Sequence, residues 1–272
     1  MRKLLVIISV LLMAACAKEN HDAAEKLSVV TYDVCTLDIE MEIKASGAAA
    51  PTVNVLWYGV YHKQESGQYV QVRTSSVEIV DPASIEVPVT LVQGQEYRVI
   101  FVAQNKVADT FIYNIDANGH LSLNAPDALP SDGNMMDLFV HCDVVTPYAA
   151  AHTKDIELER PVGQVNIATS AQELPQSISV ELGNVPVYYD IFEECCSEET
   201  QTLKYAGAPM PGTFDLGTDQ YSRLALFSVL AGNDISCSMT LHYADPSKDN
   251  TLTVAKAKTA PNFKTNIVGN IY

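Results

Sequence analysis

The sequence predicts an all-β protein, two tandem antiparallel β-sandwiches behind a lipoprotein signal peptide. Three observations lead there. Residues 36–44, TLDIEMEIK, alternate strictly: Leu37, Ile39, Met41 and Ile43 share one face and Asp38, Glu40, Glu42 and Lys44 the other, the period of a strand buried on one side. Runs rich in β-branched and aromatic residues then recur at roughly 8 to 12 residues, separated by turn signals. Long helical periods are missing, which favours sandwiches over mixed folds.

In order, the chain opens with MRKLLVIISVLLMAAC. Arg2 and Lys3 give a positive start, residues 4–13 an uncharged apolar run, and Ala14 and Ala15 the small pair before a signal-peptidase cut. The apolar run falls short of the roughly 20 residues a spanning helix needs. Cleavage leaves Cys16 first, and the segment resembles the bacterial lipobox with Met13 where Leu is commonest. Cys16 is therefore the expected lipidation site, a palmitate-bearing anchor that would hold the protein at a membrane. Ala17, not Asp, follows it, which favours the outer membrane. Residues 1–15 read as signal peptide and 16–26 as a lipidated tether, polar and aperiodic, with a reach of about 35 Å.

An N-terminal sandwich is expected over 27–148. Its strands are 36–44, 53–62, 68–73, 76–80, 85–91, 96–104, 110–115, 120–123 and 136–142, with Gly94, Asn118-Gly119 and Asp132-Gly133 supplying tight turns and Asp81-Pro82 a further break. The join falls in 145–154, VTPYAAAHTK, where Pro147 and small residues interrupt the alternation. A C-terminal sandwich over 149–272 follows, with strands at 155–169, 177–183, 186–191, 222–231, 235–243, 251–256 and 263–271. A short helix is expected at Ser170, capped by its hydroxyl with Glu173 in the capping-box position and ended by Pro175.

Composition narrows the function. The chain has 272 residues, 47% hydrophobic and 18% charged, which is globular. Without the signal it carries 15 basic against 33 acidic residues, a field that repels nucleic acid and anionic lipid. Beyond Cys16 five cysteines remain. In an oxidising compartment the pairings weighed are Cys35 with Cys142 and one of Cys195 or Cys196 with Cys237; two free thiols come next, and a strained Cys195–Cys196 bridge last. A metal set of Cys195, Cys196, Cys237 and His242 lacks zinc-type spacing.

The search for chemistry is thin. No nucleophile elbow, zinc helix, phosphate loop or dinucleotide motif occurs, so no catalytic residue, metal or cofactor is assigned. His141 points away from its neighbour Cys142 on a strand. NIDANG at 114–119 is too short for a calcium loop and reads as a hairpin turn. FEECCSEE at 192–199 reads as a solvated loop. Trp57 and Tyr61 share a parity and Tyr58 the other; a sugar-stacking surface is conceivable, but a lone tryptophan in an apolar strand reads first as core.

Three stretches carry a family resemblance: IELERPVGQVNIAT at 156–169, VELGNVPVYYDIF at 180–192 and PNFKTNIVGNIY at 261–272. With the lipobox they resemble the fimbrillin-like, or Mfa-like, lipoproteins of Bacteroidales-type bacteria. The resemblance implies two transthyretin-like sandwiches and a surface role. Polymerising members are cut by an arginine-specific protease near the start of the first domain and accept a partner's strand in the vacated groove. Here no arginine lies between Cys16 and Arg73, and no donor tail follows Tyr272. The expectation is a non-enzymatic, lipid-anchored outer-membrane protein at the cell surface, a pilus accessory, anchor or adhesion subunit whose partners are pilus subunits or a host or bacterial surface ligand. The alternative is a glycan-binding outer-membrane lipoprotein serving a nutrient importer.

Overall fold

The computed structural model describes residues 27–36, 53–80, 85–210 and 212–269. The signal, Cys16, the tether and most of the alternating stretch 36–44 lie outside the described residues. The described part is all-β. The first half contains β1 (Leu27–Thr36), β2 (Val55–Lys63), β3 (Tyr69–Glu78), β4 (Ile85–Val92) and β5 (Tyr97–Gln104). Four short strands follow: β6 (Lys106–Val107), β7 (Thr110–Phe111), β8 (Tyr113–Ile115) and β9 (His120–Leu123). Then come β10 (Leu138–Val145) and β11 (Ala151–Leu158).

These strands make a sandwich of one sheet ordered β11-β1-β4 and another ordered β10-β5-β2-β3. Period two builds its core. In β4, Ile85, Val87, Val89 and Leu91 are buried while Glu86, Pro88 and Thr90 are exposed, and they meet Val30 and Tyr32 of β1 and Phe101 and Phe139 of the facing sheet. Residues 68–73 and 76–80, expected as two strands, form the single strand β3, with a bulge opposite Val60 and Tyr61.

The second half contains β12 (Val162–Thr169), β13 (Ser177–Pro186), β14 (Tyr188–Asp190), β15 (Cys195–Cys196) and β16 (Thr200–Gly207). It continues with β17 (Thr213–Leu216), β18 (Asp219–Leu230), β19 (Asp234–His242), β20 (Asn250–Lys258) and β21 (Lys264–Gly269). Two sheets, β17-β18-β12-β21 and β16-β13-β19-β20, enclose the C-terminal core of Val165, Ile167, Val180, Leu182, Phe227, Met239 and their neighbours. Every residue of β12 is buried. Asn166 within it is satisfied inside: its amide donates to Asn266 Oδ1 at 2.9 Å and accepts from Arg223 at 3.2 Å, as burial of an amide requires.

The domain boundary shifts. The expected join at 148/149 lies too early, because β11 pairs in parallel with β1 from Val29↔Ala151 to Thr36↔Leu158 and completes the N-terminal sheet. The chain crosses at residues 159–161 instead. There the Arg160 guanidinium donates to Asp137 Oδ1 from Nη2 at 2.6 Å and Nε at 2.7 Å, and it lies over the Phe139 ring at 5.6 Å. The expected helix at Ser170 is also corrected. Residues 170–176 form bends and coil, since so few residues before Pro175 cannot repay helix nucleation, and Thr169 Oγ1 captures the Ala171 amide at 3.0 Å.

The halves are joined by a third structure. A four-stranded sheet ordered β15-β14-β9-β8 takes two strands from each half, and β9 meets β14 antiparallel through Ser122↔Tyr188, Leu121↔Tyr189 and His120↔Asp190. Beneath it Tyr61, Ile100, Val102, Tyr113, Leu121, Leu138, Val140, Val162, Ile191 and Leu230 form an inter-domain cluster. That layer explains why β5 is buried on both faces over most of its length. A 3-10 turn, Gly133–Met136, lies on β18; a Cβ at Gly133 would stand 1.4 Å from the Leu226 carbonyl oxygen, so only glycine permits this approach.

Candidate functional site

Polar side chains from both halves meet at the domain junction. The expected turn at Asn118-Gly119 is present: Gly119 has φ +82°, and Asp116 Oδ1 accepts from the Asn118 and His120 amides at 2.8 and 3.0 Å. It closes the β8–β9 hairpin and so presents His120. The imidazole Nδ1 is 3.3 Å from Asp116 Oδ2 and Nε2 is 3.6 Å from Asp190 Oδ2, and the ring stacks on Tyr188 at 4.3 Å. One ring thus touches carboxylates of both halves.

Beside it Arg98 lies between the Tyr69 ring at 4.5 Å and the Phe192 ring at 4.8 Å. Phe192 also meets Tyr61 edge-on at 5.0 Å. Burial pushes the Tyr61 hydroxyl up to about 12. Glu96, bound by Tyr69 Oη at 2.5 Å and Lys63 Nζ at 2.9 Å, has its carboxyl held below the ordinary range by those two donors. Of these contacts, Arg98 on Phe192, Tyr61 on Phe192 and His120 with Asp190 and Tyr188 join the two halves, whereas Glu96 with Lys63 and Tyr69 braces the first half alone.

The aromatic stacking surface weighed from sequence is not assembled. Tyr58 and Tyr61 are 5% and 0% exposed, and half-buried Trp57 packs on the inter-domain cluster. Trp57 lies over Gly59, where a Cβ would stand 2.5 Å from its ring.

No bridge joins the four cysteines whose side chains are described. Cys142, Cys195, Cys196 and Cys237 are free thiols. Cys142 packs on the inter-domain cluster, on the face of its sheet turned away from β1, where Cys35 stands opposite Glu157. Cys237 is in the C-terminal core, whereas Cys196 packs at the junction and donates to the Ala231 carbonyl at 3.0 Å. Cys195 and Cys196 occupy successive positions of β15, whose side chains alternate. The run expected as a solvated loop is thus partly a strand. Burial pushes the thiols of Cys142, Cys196 and Cys237 up to about 11, the direction of inert thiols. Among the described residues no group of three or more His, Cys, Asp or Glu side chains is placed to hold a metal.

One arrangement escaped the sequence. Ser179 Oγ lies 3.3 Å from His242 Nε2, and His242 Nδ1 lies 3.1 Å from Asp249 Oδ2. Only the β13–β19 register brings these residues together, so no local motif marks them. The spacing is that of a hydrolytic triad, but Ser179 sits mid-strand with ladder partners on both sides, Ala206 and Thr240. The surrounding amides are committed to those ladders, which leaves no donor pair for a developing oxyanion.

Comparison with known proteins follows this geometry. No curated protein matches the chain. Among solved structures, a candidate adhesin from Bacteroides thetaiotaomicron is similar at 15% identity and TM-score 0.54, over 86% of this chain and 81% of that one. A candidate adhesin from Bacteroides ovatus is similar at 13% identity and TM-score 0.51, over 84% and 78%. The fimbrial anchor protein Mfa2 from Porphyromonas gingivalis is similar at 15% identity and TM-score 0.48, over 84% and 82%. The likeness to the two candidate adhesins is one of fold. A family model matches residues 34–255, and the chain belongs to the family described as a family of unknown function (DUF6562).

Proposed function

We propose that this protein is a non-enzymatic surface subunit of adhesive or fimbrial type, anchored to the outer membrane through lipid on Cys16. The observation that carries the proposal is the paired-sandwich fold, shared over 86% of the chain with a candidate adhesin. The leader and Cys16 supply the anchoring part, and the junction's role as a rigid joint agrees with a scaffold that displays a surface. An anchor or adhesion subunit is favoured over a polymerised shaft because no arginine precedes Arg73 in the mature chain, which leaves an arginine-specific protease no cleavage site ahead of β1 or within it. Pilus subunits or a ligand on a host or bacterial surface are its partners on this reading.

The test uses the full-length protein in its native host. Wild type is expected to take up an alkyne-tagged palmitate label, to fractionate with the outer membrane and to be shaved from intact cells by protease. Cys16→Ala is expected to lose label and membrane association together. A Cys16→Ala protein that still carries acyl label refutes the anchoring part, and a labelled protein that resists shaving until cells are opened refutes the surface part.

A further inference from the structure

One flank of the C-terminal sandwich departs in charge from the rest of the molecule. The chain has net charge −16, yet residues 250–269 hold Lys256, Lys258 and Lys264 and neither Asp nor Glu. They form β20 and β21, each the last strand of its sheet. The two are tied together where Thr265 Oγ1 donates to the Lys258 carbonyl at 2.5 Å. The flank thus presents two neighbouring strand edges without a ladder partner among the described residues, and such edges are templates for an added strand.

Two of the lysines there, Lys256 and Lys258, differ from the other described lysines that form ion pairs. Lys63, Lys106, Lys154, Lys204 and Lys248 each reach a carboxylate within 4 Å. Lys256 and Lys258, both exposed, reach none among the described residues; Asp234 stands opposite Lys258 in register without forming an ion pair. A bulge opposite Ser236 shifts the register between Val254 and Ala257; beyond it Lys256 and Lys258 flank the inward Ala257 and both face outward. Inward positions Leu252, Val254 and Ala257 pack on the core. In the turn that follows, Phe263 is 60% exposed.

We propose that this flank docks an extended acidic segment of a partner protein, added as a strand along the open side of β20 with carboxylates at alternate positions set against Lys256 and Lys258. The backbone edge supplies hydrogen bonds and the paired lysines supply selectivity, the division of labour usual in strand addition. Cross-strand pairs of opposite charge stabilise such a ladder and like charges oppose it. A flat anionic membrane is disfavoured because the remaining surface is strongly acidic. The inference is independent of the anchoring reading, since it concerns what this flank binds and not how the protein is held.

The experiment titrates the soluble chain from residue 17 onward with the peptide acetyl-TVEVEVEVT-amide and its counterpart with Lys for Glu, followed by fluorescence anisotropy at low and high salt. The acidic peptide is expected to bind, more weakly at high salt, and the basic peptide is not. Lys256→Glu/Lys258→Glu is expected to weaken binding about tenfold or more, while Lys204→Glu, on the opposite edge of the same sheet, leaves it unchanged. Thermal unfolding confirms that each variant is folded. Absence of binding, equal binding of both peptides, or binding retained by the double variant overturns the proposal. So does binding to phosphatidylglycerol vesicles, but not the peptide, that the double variant loses; that result would assign the flank to a membrane surface.

Discussion

Arg160→Met tests how the two sandwiches are coupled. Asp137 and Arg160 are 5% and 9% exposed, so the substitution strands a carboxylate that keeps only the Leu138 amide, at 3.0 Å, among its present donors. Breaking one side of a buried ion pair costs about 3–5 kcal/mol. At about 2–4 °C per kcal/mol for a chain of this size, the melting temperature should fall by about 6–20 °C. Burial raises the Asp137 carboxyl above its ordinary range while Arg160 opposes the rise; without the guanidinium the rise is larger. A raised folded-state pKa favours the folded form at low pH and loses that contribution as pH rises, so the deficit should narrow on acidification. Asp137→Asn/Arg160→Met keeps an acceptor for Leu138 and removes the charge, and it should recover most of the loss. Denaturant titration across pH reads all three quantities. A single-variant loss below about 1 kcal/mol, a deficit that grows on acidification, or a double variant as damaged as the single one would refute the reasoning.

Two further outcomes are expected. Thiols at about 11 hold on the order of 100-fold less thiolate than ordinary ones, so iodoacetamide at mildly alkaline pH should modify exposed Cys195 first and buried Cys237 only on unfolding. Cysteines that resist alkylation even after unfolding without reductant would mean that disulfides have formed. Ser228 is fully buried, and its hydroxyl has no hydrogen-bond partner among the described residues; Ser228→Ala should therefore raise stability by about 1 kcal/mol by removing an unmet polar group, and a loss of that size in calorimetry would show that the hydroxyl has a partner.

The legible parts of the fold were those with a local cause. Alternation at Ile85, Val87, Val89 and Leu91 marks β4 without reference to any other strand, and Asn118-Gly119 marks its hairpin because positive φ is a property of the turn itself. Arg160 was visible only as part of a family-like stretch; its partner, Asp137, lies across a turn and a whole strand pair. The boundary failed for a related reason. Pro147 and the small residues after it read as a linker, but β11 owes its place to a parallel pairing with β1, more than a hundred residues away, and parallel pairing leaves no turn signature. Strands covering β8, β9 and β14 were expected at 110–115, 120–123 and 186–191; what stayed hidden was that β9 pairs with β14 across the halves, because pairing between distant segments leaves no local period. The charge of the last strands was plain in the sequence, but the fact that both form sheet edges was not.

The position of β1 has a mechanical consequence. It is the first described strand, and it runs parallel to β11 on one side and antiparallel to β4 on the other. Tension applied at its N-terminal end acts along the strand, across ladder bonds that lie at right angles to the pull or nearly so, and two rows resist together. Such a strand must slide as a whole before it yields, whereas an edge strand pulled from its tip peels one bond at a time. A molecule tugged by flow from that end would meet the load with its strongest geometry.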